Sequence, residues 1–193
     1  MNYPLMDPPF NLKDFDEMTK KEAQNHFDWY TGEIPARLRL LKQAYTETSE
    51  GKLEDLDLSP HSLVNLWTWF LSKIEIEFYT ADEIADKHRK LPEWLHKEVG
   101  EKKLSTATLC VAMDIGIYFG EVFVKNFNHL NWGVKFKPKS YAHVNRPVIL
   151  GFSAGKQEMN PSNLIHNLSL EAIEEGSENK SLYNLFKVWE EDI

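Results

Sequence analysis

The chain has 193 residues, 42% hydrophobic and 27% charged, with 9 Gly and 9 Pro, which excludes a disordered or collagen-like polymer. At this length one domain buries well over half of its unfolded surface without help from disulfides or a structural metal, and a lone cysteine, Cys110, excludes an internal disulfide framework. A net charge of −8 argues against general nucleic-acid binding, because phosphate would meet a repulsive field.

Residues 1–16 predict an irregular arm, with Pro4, Pro8 and Pro9 among a few apolar anchors. The arm has no basic flank and apolar core of a secretory leader, so a cytoplasmic location is expected. Thr19-x-x-Glu22 is a capping box that opens a helix bearing Ala23, Phe27 and Tyr30. Gly32 and Pro35 are expected to interrupt it, with a second helix restarting at Pro35 and carrying Leu38, Leu41 and Tyr45. Residues 48–58 are polar and acidic and predict a loop. Ser59-Pro60 starts the next helix, whose apolar face runs through Leu63, Leu66, Trp67, Phe70 and Ile74 to Phe78. A second capping box, Thr80-x-x-Glu83, leads a polar helix to about Lys90, and Pro92 to Val99 predicts one more short helix before Gly100.

The segment from Ser105 to Phe127 is the most informative. At 100° per residue it is apolar almost all the way round, and only Asp114, Tyr118, Glu121 and Lys125 share one narrow polar stripe. Such a helix belongs in the interior, and Gly116 and Gly120 leave a groove where a neighbour can come close. Its longest apolar run, Leu109 to Val124, is broken by Asp114 and Glu121, so a membrane span is not expected. Cys110, within the apolar pattern, reads as a small buried hydrophobe.

Trp132 to Lys137 alternates apolar and basic residues and predicts a half-buried strand, stopped by Pro138. Pro147 to Phe152 predicts a short apolar strand after a hairpin-length connection, and a third strand fits Tyr141 to Val144. Asn160-Pro161 opens a helix ending near Gly176, and Ser181 to Glu190 forms the last. The fold class is α+β and mostly helical, with a long buried central helix packed against a short antiparallel β-hairpin or small sheet.

Charge is segregated along this single domain, 1–193. Residues 1–100 hold 12 Lys/Arg against 19 Asp/Glu, a balance of −7; residues 101–193, with the central helix, hairpin and C-terminal helices, hold 10 against 11, a balance of −1. From Val122 to Gln157 there is no acid, while Lys125, Lys135, Lys137, Lys139, Arg146 and Lys156 fall there. An acidic helical part and a basic strip suit a chain that meets another protein.

Catalytic patterns are thin. Gly151-Phe152-Ser153-Ala154-Gly155 matches a nucleophile elbow, but the helix after it starts late and only His166 follows, too soon for the required order. No H-x-x-x-H pair, cysteine cluster, phosphate cradle or dinucleotide fingerprint occurs, so no metal and no cofactor are expected. Asp82, Glu83, Asp86 and His88 read as a solvated helix face. Trp132, Phe136, Tyr141 and His143 beside the lysines resemble a single-strand nucleic-acid platform, but the alternation turns Trp132 and Phe136 away from the lysines. Asp114, Tyr118 and Glu121 require partners, because unpaired buried charge is expensive; Lys125 or the basic hairpin with Lys135 and Lys137 is the expected source.

Lys21-Glu22-Ala23, Phe27-Asp28-Trp29, Ile34-Pro35, Asp114-x-Gly116-x-Tyr118-x-Gly120-Glu121, Trp132, Pro147 and Asn160-Pro161 follow in order along the chain. In this it resembles small uncharacterised bacterial protein families, some similar to immunity proteins of polymorphic toxin systems. The resemblance implies a cytosolic, non-catalytic protein that binds a partner stoichiometrically. Asp114, Tyr118, Glu121, Lys135 and Lys137 are the candidate contact residues, with Trp29 and Trp94 as anchors if they stand outside the core. The competing expectation is a small-ligand binder or enzyme with a pocket along Asp114, Tyr118 and Glu121. The oligomeric state stays open.

Overall fold

The computed structural model describes residues 3–98 and 100–193. Met1, where the expected arm begins, and Val99, placed in the short helix, lie outside the described residues.

Helix α1 spans Lys20–Thr48, and its start is the expected capping box: the Thr19 hydroxyl accepts from Glu22 N, and the Glu22 carboxylate accepts from Thr19 N at 2.8 Å. The expected break at Gly32–Pro35 is absent, and Pro35 sits inside one continuous helix. Proline there removes one backbone donor, a local cost of about 3 kcal/mol. Burial on both sides offsets it, since Tyr30 and Ile34 before the proline and Arg37 and Leu41 after it are all enclosed. Within the expected loop, Leu53–Leu56 forms a 3-10 turn that inserts Leu56 fully into the core.

Helix α2, Ser62–Leu71, begins where Ser59 Oγ accepts from Ser62 N at 3.3 Å. It stops seven residues short of Phe78. Ile74-Glu75-Ile76-Glu77-Phe78 alternates with period two, and Ile76–Phe78 forms strand β1, paired antiparallel with β2, Lys102–Leu104. Between them lie α3, Ala81–Lys90, with the Thr80 capping box in place, and a 3-10 turn at Glu93–Glu98.

Helix α4, Thr106–Asn126, is the centre of the fold, and Ser105 Oγ caps it by accepting from Thr108 N at 3.2 Å. Among the described residues it is the one helix long and apolar enough to cross a membrane; 72% of its apolar window is buried inside the protein. Cys110 is buried, which raises its thiol pKa. The two helix glycines are close-approach sites. A Cβ at Gly116 would lie 3.1 Å from Ser162 Cα, and one at Gly120 would lie 2.5 Å from Trp132 Cζ2.

Strands β3, Asn131–Val134, and β4, Pro147–Gly151, pair antiparallel with Trp132 opposite Ile149. The third strand is β5, Gln157–Met159, on the far side of β4; residues 141–144 form turns instead. A tight turn makes β5, with Ser153 at φ 47° and Ala154 at φ 54° between Gly151 at φ 116° and Gly155 at φ 83°. The last helices are α5, Pro161–Glu174, capped by Asn160, and α6, Ser181–Glu190. One large core cluster takes Leu41 from α1, Trp67 and Phe70 from α2, Phe119 and Phe123 from α4, and Phe186 from α6. The fold is mostly helical α+β, with small antiparallel sheets beside a long central helix.

Ala154 is exposed and left-handed, a conformation that costs a residue with a Cβ about 1–2 kcal/mol. Ala154→Gly should therefore raise stability by about 0.5–1 kcal/mol in urea denaturation, after glycine's larger unfolded-state entropy is deducted. A loss of stability would contradict the strain.

Candidate functional site

Each member of the α4 stripe has its own neighbour. Asp114 is fully enclosed. Arg37 Nε donates to its Oδ1 at 2.8 Å, Tyr3 Oη donates to its Oδ2 at 2.5 Å, and Arg37 Nη2 also donates to Pro4 O at 2.9 Å. Burial pushes the Asp114 carboxyl up to about 6, against the pull of the Arg37 and Tyr3 hydrogen bonds. Burial and the adjacent carboxylate likewise raise the Tyr3 phenol.

Tyr118, also fully enclosed, accepts from Leu58 N at 2.9 Å and shares a hydrogen bond with Ser62 Oγ at 2.7 Å. Burial pushes its phenol up to about 12. Glu121 accepts from Trp132 Nε1 at 2.7 Å, and Lys125 donates to Asp57 O at 2.6 Å. The partners are thus not those expected. Glu121 does not pair with Lys125, and Asp114 is neutralised by α1 and the arm rather than by the hairpin. The physical reason is packing: α1 crosses α4 with Arg37 over Asp114, 77 positions away in sequence.

Lys135 pairs with Glu158 on β5, and Lys137 lies exposed two residues further on. The structure does not gather Asp114, Tyr118, Glu121, Lys135 and Lys137 into one site. Trp132 turns inward as the alternation required, edge-on to Tyr30 at 5.5 Å and against Gly120. On the acidic helix face Asp86 pairs with Arg89, Glu83 with Lys103 at 2.5 Å, and His88 stacks on His96 at 4.2 Å. Ser153, the elbow-like serine, sits in the left-handed turn with its hydroxyl 3.4 Å from Gln157 Oε1 and a strand after it.

The outstanding surface feature is the lobe over residues 76–104. None of the residues of α3 is buried. The lobe joins the body through buried Leu104, through the packing of β2 against helix α5, and through Thr108, whose Oγ1 accepts from Glu75 N at 2.9 Å and donates to Glu75 O at 3.0 Å. Alternation puts Ile76 and Phe78 on one face of the β1–β2 ribbon and Glu77 on the other, where Lys103 meets both Glu77 and Glu83. Phe78 is 63% exposed and Trp94 76% exposed, with Ile76 and Leu91 also in water. Trp29, the other proposed anchor, is half-buried, its ring 5.9 Å from Phe10 and 5.5 Å from His26.

The lobe was missed at the sequence level because Phe78 was placed on a helix. The period-two run over residues 74–78 was the signal that would have found it. Comparison with protein-family models, with curated proteins and with solved structures finds no match.

Proposed function

We propose that the chain acts in the cytoplasm as a non-catalytic protein-binding domain, engaging a basic partner protein stoichiometrically in the manner of an immunity protein. One observation carries the reading: large apolar side chains, Phe78 and Trp94, stand in water on a lobe that contributes little to the core. Isolated exposed apolar residues need no explanation, but a tryptophan and a phenylalanine on one small lobe are the usual anchors of an interface. Residues 76–104 hold 6 Lys/Arg against 7 Asp/Glu, so the lobe is near neutral, and it is the net charge of −8 on the whole chain that favours approach of a basic surface and speeds encounter.

The open edge of a two-stranded ribbon adds a further handle, since a partner strand can extend it through main-chain hydrogen bonds. A pocket along Asp114, Tyr118 and Glu121 draws less support, because Asp114 and Tyr118 are enclosed and hydrogen-bonded on all the evidence of their geometry.

The test is calorimetric titration of the full chain with the purified products of the genes that flank its own. One of them is expected to bind with a stoichiometry near one, more weakly as salt rises. Phe78→Ser with Trp94→Ala is expected to weaken binding by about 100-fold or more while leaving the thermal melt unchanged. Unchanged affinity in the double variant, or no binding by any flanking product, overturns the proposal.

A further inference from the structure

The N-terminal arm is pinned at both ends. Near its start Tyr3 and Pro4 are held by Asp114 and Arg37; near its end Asn145 Nδ2 donates to Phe15 O at 2.6 Å and to Met18 O at 3.3 Å. Between these anchors the chain walls a chamber of about 220 Å³ that also takes in His26, Trp29 and Tyr30 of α1 and Met113 of α4. Beside it is a second chamber of about 370 Å³, lined by His143, Asn163 and His166 among others. Arg146, Asn160 and Ser162 line both. The two adjoin along these three side chains, the first mainly aromatic and the second polar.

The polar end is built for an anion. No carboxylate lines either chamber, although the chain carries 30 Asp and Glu. Arg146 is exposed, lies 4.3 Å over the Phe15 ring, and has no carboxylate partner among the described residues. Asn160 Nδ2 donates to His143 Nδ1 at 3.3 Å, which leaves the imidazole proton on Nε2 as a free donor. Burial and Arg146 hold the His143 pKa below its ordinary value against the opposing pull of nearby Glu158, so at neutral pH it is that uncharged donor.

The aromatic end is walled by side chains that are themselves enclosed: His26 is 5% exposed and Tyr30 3%, with His26 Nδ1 and Tyr30 Oη sealed within the wall rather than on its open surface. Burial raises the Tyr30 phenol, and the nearby Ser162 hydroxyl opposes that rise. Phe15, Trp29 and Tyr30 offer ring faces and edges, and the thioethers of Met6 and Met113 adapt to shape.

We propose that these adjoining chambers bind a small aromatic carboxylate: the ring lies among Phe15, Trp29 and Tyr30, and the carboxylate meets Arg146 and His143. The guanidinium fork suits a carboxylate in geometry as well as charge. The site uses no residue of the 76–104 lobe, so partner binding and ligand binding can be lost separately.

Calorimetry on the full chain with phenylacetate, 4-hydroxyphenylacetate, phenylacetamide and inorganic phosphate tests it. Both carboxylates are expected to bind, with the neutral amide weaker by about tenfold or more. Arg146→Gln, at an exposed position that leaves the fold intact, should erase the preference for carboxylate over amide. Met113→Trp, which fills the chamber, should abolish binding, with a melting curve run on each variant as the control for folding. The proposal is overturned if neither carboxylate binds at millimolar concentration, if the amide or phosphate binds as well as they do, or if Arg146→Gln changes nothing.

Discussion

Arg37→Met is expected to cost the fold about 3–5 kcal/mol at neutral pH, because it leaves the enclosed Asp114 carboxylate with only the Tyr3 hydroxyl. Adding Asp114→Leu should recover most of that loss, since a buried ion pair replaced by apolar side chains of similar volume is often neutral. Denaturant unfolding of the single and double variants measures both effects, and a single variant within about 1 kcal/mol of the parent would refute the burial argument.

The same pair sets a pH dependence whose sign runs against the usual carboxylate. In the folded chain Asp114 holds its proton up to about pH 6, whereas its ordinary value is 3.8. Between those values the folded chain binds more proton than the unfolded one, so this group's contribution to stability falls as pH rises from about 4 to about 6. The full span is worth up to about 3 kcal/mol. Measured against Asp114→Asn, the parent should gain stability on acidification through that window. A parallel pair of curves would show that the carboxyl is not raised.

Phe123→Ala is the second large effect. The ring is fully buried where four others converge, with centroids 4.7 Å away at Phe186, 5.3 Å at Phe119, 5.4 Å at Phe152 and 6.1 Å at Phe127. Truncation removes the transfer free energy and opens a cavity, about 3–5 kcal/mol together, and forfeits the edge-to-face contacts. Phe186 belongs to α6 and Phe152 to the β4–β5 turn, so both should loosen first. Hydrogen exchange in residues 181–190 should accelerate more than in α1. Uniform acceleration would mean that the cluster is not the hinge of that packing. Phe123→Leu, which keeps most of the volume, should cost less than half as much.

Local chemistry was legible in the residues. The boxes at Thr19 and Thr80 and the cap at Asn160 act within three positions of themselves, so their geometry follows from spacing alone. The interior place of α4 followed from its all-round apolar surface, and the close approach of a neighbour from Gly116 and Gly120, although only packing decided that Pro161, Ser162 and Trp132 supply it. The short β5 strand was not legible, because Gln157-Glu158-Met159 has no strand pattern and exists through the left-handed turn before it. Pro35 misled because a proline's cost is local while the burial that offsets it is not.

The stripe shows the division most clearly. That Asp114, Tyr118 and Glu121 share one side of a helix is a matter of 3.6-residue geometry and was determined by the sequence itself. Which groups satisfy them was decided only in three dimensions, since Arg37 and Tyr3 reach Asp114 across the α1–α4 contact and Tyr118 meets the loop before α2. The same holds for the chambers at Arg146, assembled from the arm, α1, α4 and α5. Periodicity and capping are short-range and written in neighbouring residues, whereas a partner or a cavity belongs to surfaces that meet only when distant segments pack.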